Sequence, residues 1–186
     1  MRLRSDKFKA LAEERGLTDE QLAQAIDRVG LTGARALTAI RNWKRGSDHP
    51  RCKIEDIRAL AQALGASPQD FASFVSQVRR HRGSTQKARL VADMIRGRGV
   101  DEAMTLLTFS QKRAATNVRK ALEAAIAEAD EIGADVTSLY VSESRVDEGP
   151  VIKRFRPKDR GRAHPIMKQT SHITIGVQER EPAVAG

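Results

Sequence analysis

The chemistry that this chain offers is that of cations against a polyanion. Over residues 150–168 seven basic side chains (Lys153, Arg154, Arg156, Lys158, Arg160, Arg162 and Lys168) stand against one acid, Asp159. A planar guanidinium matches phosphate oxygens two at a time and stacks on bases. The apolar groups of this stretch, Val151, Ile152, Phe155, Ile166 and Met167, are too few to bury a core of their own. Ordinary hairpin loops run roughly 2 to 5 residues, so an arm of about twenty between two strand-like runs is an extension with a task. At about 3.3 Å per residue, ten out and ten back reach roughly 30 Å, enough to enter a cleft in a large RNA. Gly149, Pro150, Pro157, Gly161 and Pro165 predict a backbone that bends through packed RNA rather than one that forms a regular ladder.

A second set of cations precedes the arm. Lys112, Arg113, Arg119 and Lys120 crowd the first half of a long helical pattern, and Glu128, Asp130 and Glu131 fall at its end. That order opposes the helix dipole and lowers helix stability, whereas bases at the positive helix end concentrate attraction for phosphate. Arg82, Lys87, Arg89, Arg96, Arg98 and His172 complete the candidate RNA contacts.

Catalysis finds no support. His49, His81, His164 and His172 are scattered, and none stands at metal spacing from Cys52. There is no Gly-rich phosphate loop or nucleophile elbow. Ser47, Asp48 and His49 spell a triad, but adjacent residues cannot aim at one another. The expectation is a protein without enzymatic activity, cofactor or metal, with His81 and His172 as strand or RNA-contacting residues and Cys52 half-buried at a helix start.

Composition agrees. In 186 residues, 33 Lys and Arg against 24 Asp and Glu give +9, the balance of a nucleic-acid partner. No apolar stretch is long enough to span or anchor to a membrane, and the N-terminus lacks the apolar run of a signal peptide. One cysteine makes no disulfide framework, so a cytoplasmic protein is expected.

Two blocks must position these residues. Residues 1–72 read as short helices. Phe8, Leu11 and Ala12 share a face that ends at Gly16; Thr18 and Gln21 form a capping-box pair ahead of Leu22, Ala23 and Ile26; Leu37, Ile40 and Trp43 make a stripe; Ile54, Ile57, Leu60, Ala61 and Leu64 make another, closed by Gly65. Ser67 and Pro68 start a last short helix. Residues 73–186 read as an edge strand at 74–81, a helix after Ser84 (Ala88, Val91, Met94 and Ile95 inward), helices at 101–109 and 112–132 (the longer one burying Ala115, Val118, Leu122, Ile126 and Ala129), and strands at 139–146 and 170–178 that flank the arm at 146–172. Ile173, Ile175 and Val177 alternate with Thr174 and Gly176, the pattern of a half-buried strand. The fold class is α+β: three helices on a small antiparallel sheet with a long hairpin, preceded by an all-α domain.

FKALAEERGLTDEQLAQAI, AIRNWKRGSDHP and IEDIRALAQALGASPQDF resemble the phage-repressor (Cro-type) helix-turn-helix. The resemblance implies a third helix in the DNA major groove, which here carries Arg35, Thr38, Arg41, Asn42 and Lys44. Residues 22–43 are longer than the family spacing, residues 27–33 being the excess. Residues 81–180 resemble ribosomal large-subunit protein 22 of bacterial type. The likeness rests on KARLVADMIRG, the alanine-rich run at 114–127, VDEGP, the KR, P and GRA positions of 153–163, and K.TSHIT at 168–174. It implies a structural protein of the large subunit that binds rRNA beside neighbouring ribosomal proteins and helps assembly. It also implies a hairpin along the polypeptide exit tunnel, with residues 153–165 facing the nascent chain. Where that family usually has an Asn and a His, this chain has Glu128, Ala129, Asp130 and Glu131. The alternative for the whole chain is a DNA-binding regulator that uses residues 1–72. For those residues alone, anchoring to rRNA or a neighbour protein, DNA binding and a packing relic all stay open.

Overall fold

The computed structural model describes residues 1–180, so the expected C-terminal boundary at Gly186 lies outside the described residues. The chain divides into two units, Met1–Phe74 with Asp130–Ala134, and Val75–Ala129 with the remainder.

The first unit is helical. A short strand β1 (Arg2–Leu3) leads into α1 (Ser5–Glu14), α2 (Asp19–Gln24), α3 (Ala34–Lys44), α4 (Ile54–Leu64) and α5 (Pro68–Phe71), and the start of β2 (Ala72–Arg82) pairs back on β1. Local chemistry sets the boundaries. Thr18 and Gln21 cap α2 reciprocally, and α4 ends on Gly65 at φ 60°, a left-handed stop that glycine adopts without the Cβ penalty. Phe8, Leu22, Ile40, Trp43, Ile57, Leu60, Leu64 and Phe71 fill the core, with the Phe8 and Phe71 rings 6.0 Å apart. On α3 the buried stripe is Ala36, Ala39, Ile40 and Trp43. Leu37, expected inside, is half-exposed, because small alanines let the helix pack closer along a face rotated from the large residues. The turn at 130–134 belongs here too: the Arg58 guanidinium donates to the Glu131 carbonyl at 3.1 Å and the Gln69 amide to that of Gly133 at 2.5 Å.

In the second unit β2 continues beside β6 (Thr170–Glu179), which in turn pairs with β3 (Leu139–Glu148). β3 and β6 are antiparallel, from Leu139↔Glu179 to Glu148↔Ser171, with an irregularity at Val141/Glu143. Between β2 and β3 run α6 (Thr85–Ile95), α7 (Val100–Phe109) and α8 (Arg113–Asp130). α6 buries Ala88, Val91, Ala92 and Ile95 and packs against β3 and β6. α8 buries Ala114, Ala115, Val118, Ala121, Leu122, Ala125 and Ala129, while Ile126, expected inside, is half-exposed.

Two expectations are corrected. Thr174 and Gly176 are buried along with Ile173, Ile175 and Val177: β6 is the central strand and is covered on both faces, so its alternation does not mark a solvent side. Cys52 is buried rather than half-buried; burial, with Asp56 and Asp48 nearby, pushes its thiol well above the ordinary range.

The outer edge of β3 is closed from within. The Arg96 guanidinium donates to the Ser144 carbonyl at 2.6 and 3.2 Å, and Arg89 to that of Val146 at 3.2 Å. Backbone bonds join Gly97 to Val141 and Val141 to Arg98, both at 2.9 Å. An edge so covered presents no free row of donors and acceptors for stray pairing.

Candidate nucleic-acid interface

The arm is a ribbon. β4 (Ile152–Pro157) and β5 (Ala163–Lys168) pair antiparallel through six residues each, from Ile152↔Lys168 to Pro157↔Ala163. The expectation of an irregular backbone is therefore corrected, and register parity explains how the prolines fit. The Lys158 amide donates to the Arg162 carbonyl at 2.7 Å, so the 158/162 pair is a hydrogen-bonded one, and 156/164, 154/166 and 152/168 follow by alternation. Pro157 and Pro165 then occupy the intervening positions, where the residue's N–H would point away from the partner strand and its loss costs the ladder nothing. The tip turns through Asp159, Arg160 and Gly161, with φ 53° at Arg160 and 70° at Gly161.

Partners in register share a face. One face carries Arg154, Arg156, His164 and Lys168 with Ile152 and Ile166. The other carries Phe155, Pro157, Ala163, Pro165 and Met167 with Lys153. Phe155 is 74% and Met167 55% exposed, so the second face is an uncovered apolar strip. A count of charges along the arm does not show this division, whereas the period-2 spacing of 153, 155 and 157 against 154 and 156 does.

At its base the arm is keyed. The Gly149 amide donates to the Thr170 carbonyl at 2.9 Å, and the Thr170 hydroxyl to the Pro150 carbonyl at 2.7 Å. A Cβ on Gly149 would meet that hydroxyl at 2.5 Å, so glycine is required here for space.

Beside the base lies a basic cradle. A broad depression of about 650 Å³ is lined by Arg82, Gly83, Ser84, Arg113, Met167, Lys168 and Gln169. A second, of about 560 Å³, shares Arg82, Gly83, Ser84 and Arg113 and adds His81, Lys87, Leu90 and Lys112 among its walls. Two helix N-termini open onto it. Ser84 is the N-cap of α6 but makes no side-chain cap bond, and α8 begins at Arg113. Five cations, Arg82, Lys87, Lys112, Arg113 and Lys168, line these depressions beside the two helix starts. Among the described residues none of the five has a carboxylate partner. Such an arrangement has the chemistry to hold phosphate.

His81 closes the cradle's inner wall. Its Nδ1 is 2.7 Å from the Asn117 amide nitrogen, so with that amide donating, Nδ1 is the acceptor. Burial, and then the positive charge of Arg113, lowers its pKa below the ordinary 6.5. The lowered pKa favours the neutral ring, whose Nδ1 meets Asn117 of α8.

The remaining candidates lie elsewhere. Arg89 and Arg96 spend their guanidinium groups on β3, as described above. Arg98 pairs with Glu102 and donates to the Met94 carbonyl at 2.8 Å; Arg119 pairs with Glu123 at 3.4 Å. Lys120 is exposed on α8. His172 accepts the Arg80 amide on its Nδ1 at 3.3 Å.

In the first unit the candidate DNA-reading side chains are largely engaged. Lys44 and Arg41 both reach Asp19, at 2.6 and 3.8 Å; the Asn42 amide donates to the His49 carbonyl at 2.8 Å; the Thr38 hydroxyl donates to the Ala34 carbonyl at 2.9 Å. Arg35 alone of the five makes no such bond and is exposed. The excess segment at 27–33 is a brace. Arg28 and Leu31 bridge across a tight turn, and the Arg28 guanidinium reaches the buried Asp56 carboxylate at 2.9 Å and the Arg51 carbonyl at 3.1 Å.

A family model described as Ribosomal protein L22p/L17e matches residues 76–178, which hold the cradle, α6 to α8 and the whole arm. The chain belongs to this family. Ribosomal protein L22 proteins are structural, rRNA-binding constituents of the large ribosomal subunit and not enzymes. Membership accounts for the cation-rich surface. Among the described residues no group of His, Cys, Asp and Glu is placed to hold a metal, and no helix is long and apolar enough to cross a membrane. The match starts at Ser76, inside β2, and leaves residues 1–75 outside it.

Proposed function

We propose that this chain fastens to large-subunit rRNA through the cradle and sends its arm along the polypeptide exit tunnel. The observation that carries the reading is the convergence of Arg82, Lys87, Lys112, Arg113 and Lys168 on two helix N-termini at the arm's base. Binding of this kind follows backbone and shape more than sequence, and it suits a protein that ties RNA segments together during subunit assembly. The division of the ribbon supports the tunnel placement. Its basic face has the chemistry for RNA phosphates, and its apolar strip of Phe155, Pro165 and Met167 suits the passage through which the nascent chain moves. The 1–74 unit acts in this reading as an anchor on rRNA or a neighbouring ribosomal protein. The intramolecular bonds of Arg41, Asn42 and Lys44 speak against base readout.

Substituting Lys112→Glu and Arg113→Glu together tests the cradle. Each phosphate neutralised adds about 0.7 to 0.9 to the log-log salt slope, so the double variant should bind rRNA far more weakly, with a slope smaller by about 1.4 to 1.8. Unchanged affinity and slope would sink the reading. For the helical unit, in-cell cross-linking with sequencing of the RNA and DNA recovered on residues 1–72 decides: rRNA alone supports an anchor, and reproducible DNA sites a regulator.

A further inference from the structure

Among the described residues only two that are not glycine have a positive φ, and both are arginines: Arg80 at 57° and Arg160 at 53°. Arg160 sits in the turn at the arm's tip, but Arg80 lies inside β2. A left-handed backbone presses Cβ against the neighbouring carbonyl and persists only where its surroundings impose it.

The surroundings here are a strand out of step. Val75 lies against Gly176 and Gln77 against Thr174, a regular antiparallel relation. Arg80 then donates its amide to the side chain of His172 at 3.3 Å, so that β2 advances three residues from Gln77 while β6 advances two from Thr174. One extra residue on one strand is a bulge, and a bulge re-aims side chains. Arg79, Arg80 and Arg82 all emerge exposed. Among the described residues no carboxylate pairs with any of them; Arg79 donates to the Gln77 side chain at 3.0 Å. Asp147, the acid opposite His172 in the β3–β6 register, is held by Arg145 at 3.4 Å. A glycine at position 80 would relieve the backbone, so the fold alone does not call for this arginine.

We propose that the Arg80 bulge is a second phosphate clamp for RNA, in which Arg79 and Arg80 grip the sugar-phosphate backbone at the sheet edge while Arg82 joins them to the cradle. His172 is a positioning residue: its unprotonated Nδ1 takes the Arg80 N–H and fixes the bulge. This inference rests on the rRNA-binding reading, and its test separates the two. Full-length Arg80→Gly, Arg80→Lys and the Lys112→Glu, Arg113→Glu double variant are titrated with a transcript of large-subunit rRNA from about 50 to 400 mM KCl, and each is melted without RNA. The clamp predicts that Arg80→Gly keeps or raises the melting temperature. It should also weaken binding about five- to tenfold near 0.1 M salt, with a slope shallower by somewhat under one, while Arg80→Lys keeps most of both. Wild-type binding by Arg80→Gly beside a weakened double variant overturns the clamp and leaves the cradle standing. A lowered melting temperature in Arg80→Gly shows the arginine to be holding the fold and overturns the clamp as well. Unchanged binding in all three variants removes the rRNA reading itself.

Discussion

His81 shows how one side chain couples the fold to pH. Its imidazole is kept neutral by burial first and by Arg113 second, which puts its native pKa below the ordinary 6.5. The unfolded chain therefore binds the proton more readily than the native one, and stability must rise with pH wherever that difference operates. Its contribution is intact above about pH 7 and is lost as pH falls through 6.5 toward the native value. Urea midpoints compared at about pH 8 and pH 5.5 should show the second unit weaker at the acidic end, and His81→Gln should flatten that difference. A midpoint in the wild type that does not move with pH would contradict a neutral His81. The same ring limits its neighbour, because a Cβ on Gly83 would come within 2.7 Å of His81 Nε2.

At the scale of elements, much was legible from single residues with a local job. The Thr18–Gln21 cap, the Gly65 stop, the Trp43 stripe and the strands around the arm needed no knowledge of partners. What the sequence hid was pairing. Arg89 and Arg96 look like free cations until β3 is seen to lack an outer neighbour, and β6 looks half-solvated until its central place is known. Pro157 and Pro165 read as ladder breakers because the register that places both at positions without cross-strand bonds is fixed by the tip turn, not by the prolines. That account makes a sharp prediction. His164→Pro, at a hydrogen-bonded pair, should abolish slow amide exchange in β4 and β5, whereas Phe155→Pro, opposite Pro165, should leave the ladder formed. Equal damage by both substitutions would mean that parity does not decide where the ribbon tolerates proline.

The whole molecule divides its charge as it divides its fold. Residues 1–74 hold 13 Lys and Arg against 10 Asp and Glu, while residues 75–186 hold 20 against 14. Position widens the contrast. In the helical unit, cations such as Arg28, Arg41 and Lys44 have acids within 4 Å, and an ion already paired releases little counterion when RNA arrives. The arm and cradle cations face solvent unpaired, so they should own the salt dependence of binding. Replacing Arg41 and Lys44, both paired with Asp19, by Ala should leave the log-log slope for rRNA unchanged, whereas replacing Arg156 and Arg162 by Ala should reduce it by between one and two, about 0.7 to 0.9 for each phosphate contact given up. Salt titrations of the two double variants against one transcript compare them directly. A slope that falls equally in both would make α3 a nucleic-acid contact surface in its own right, and the helical unit would then anchor on rRNA itself rather than on a neighbouring protein.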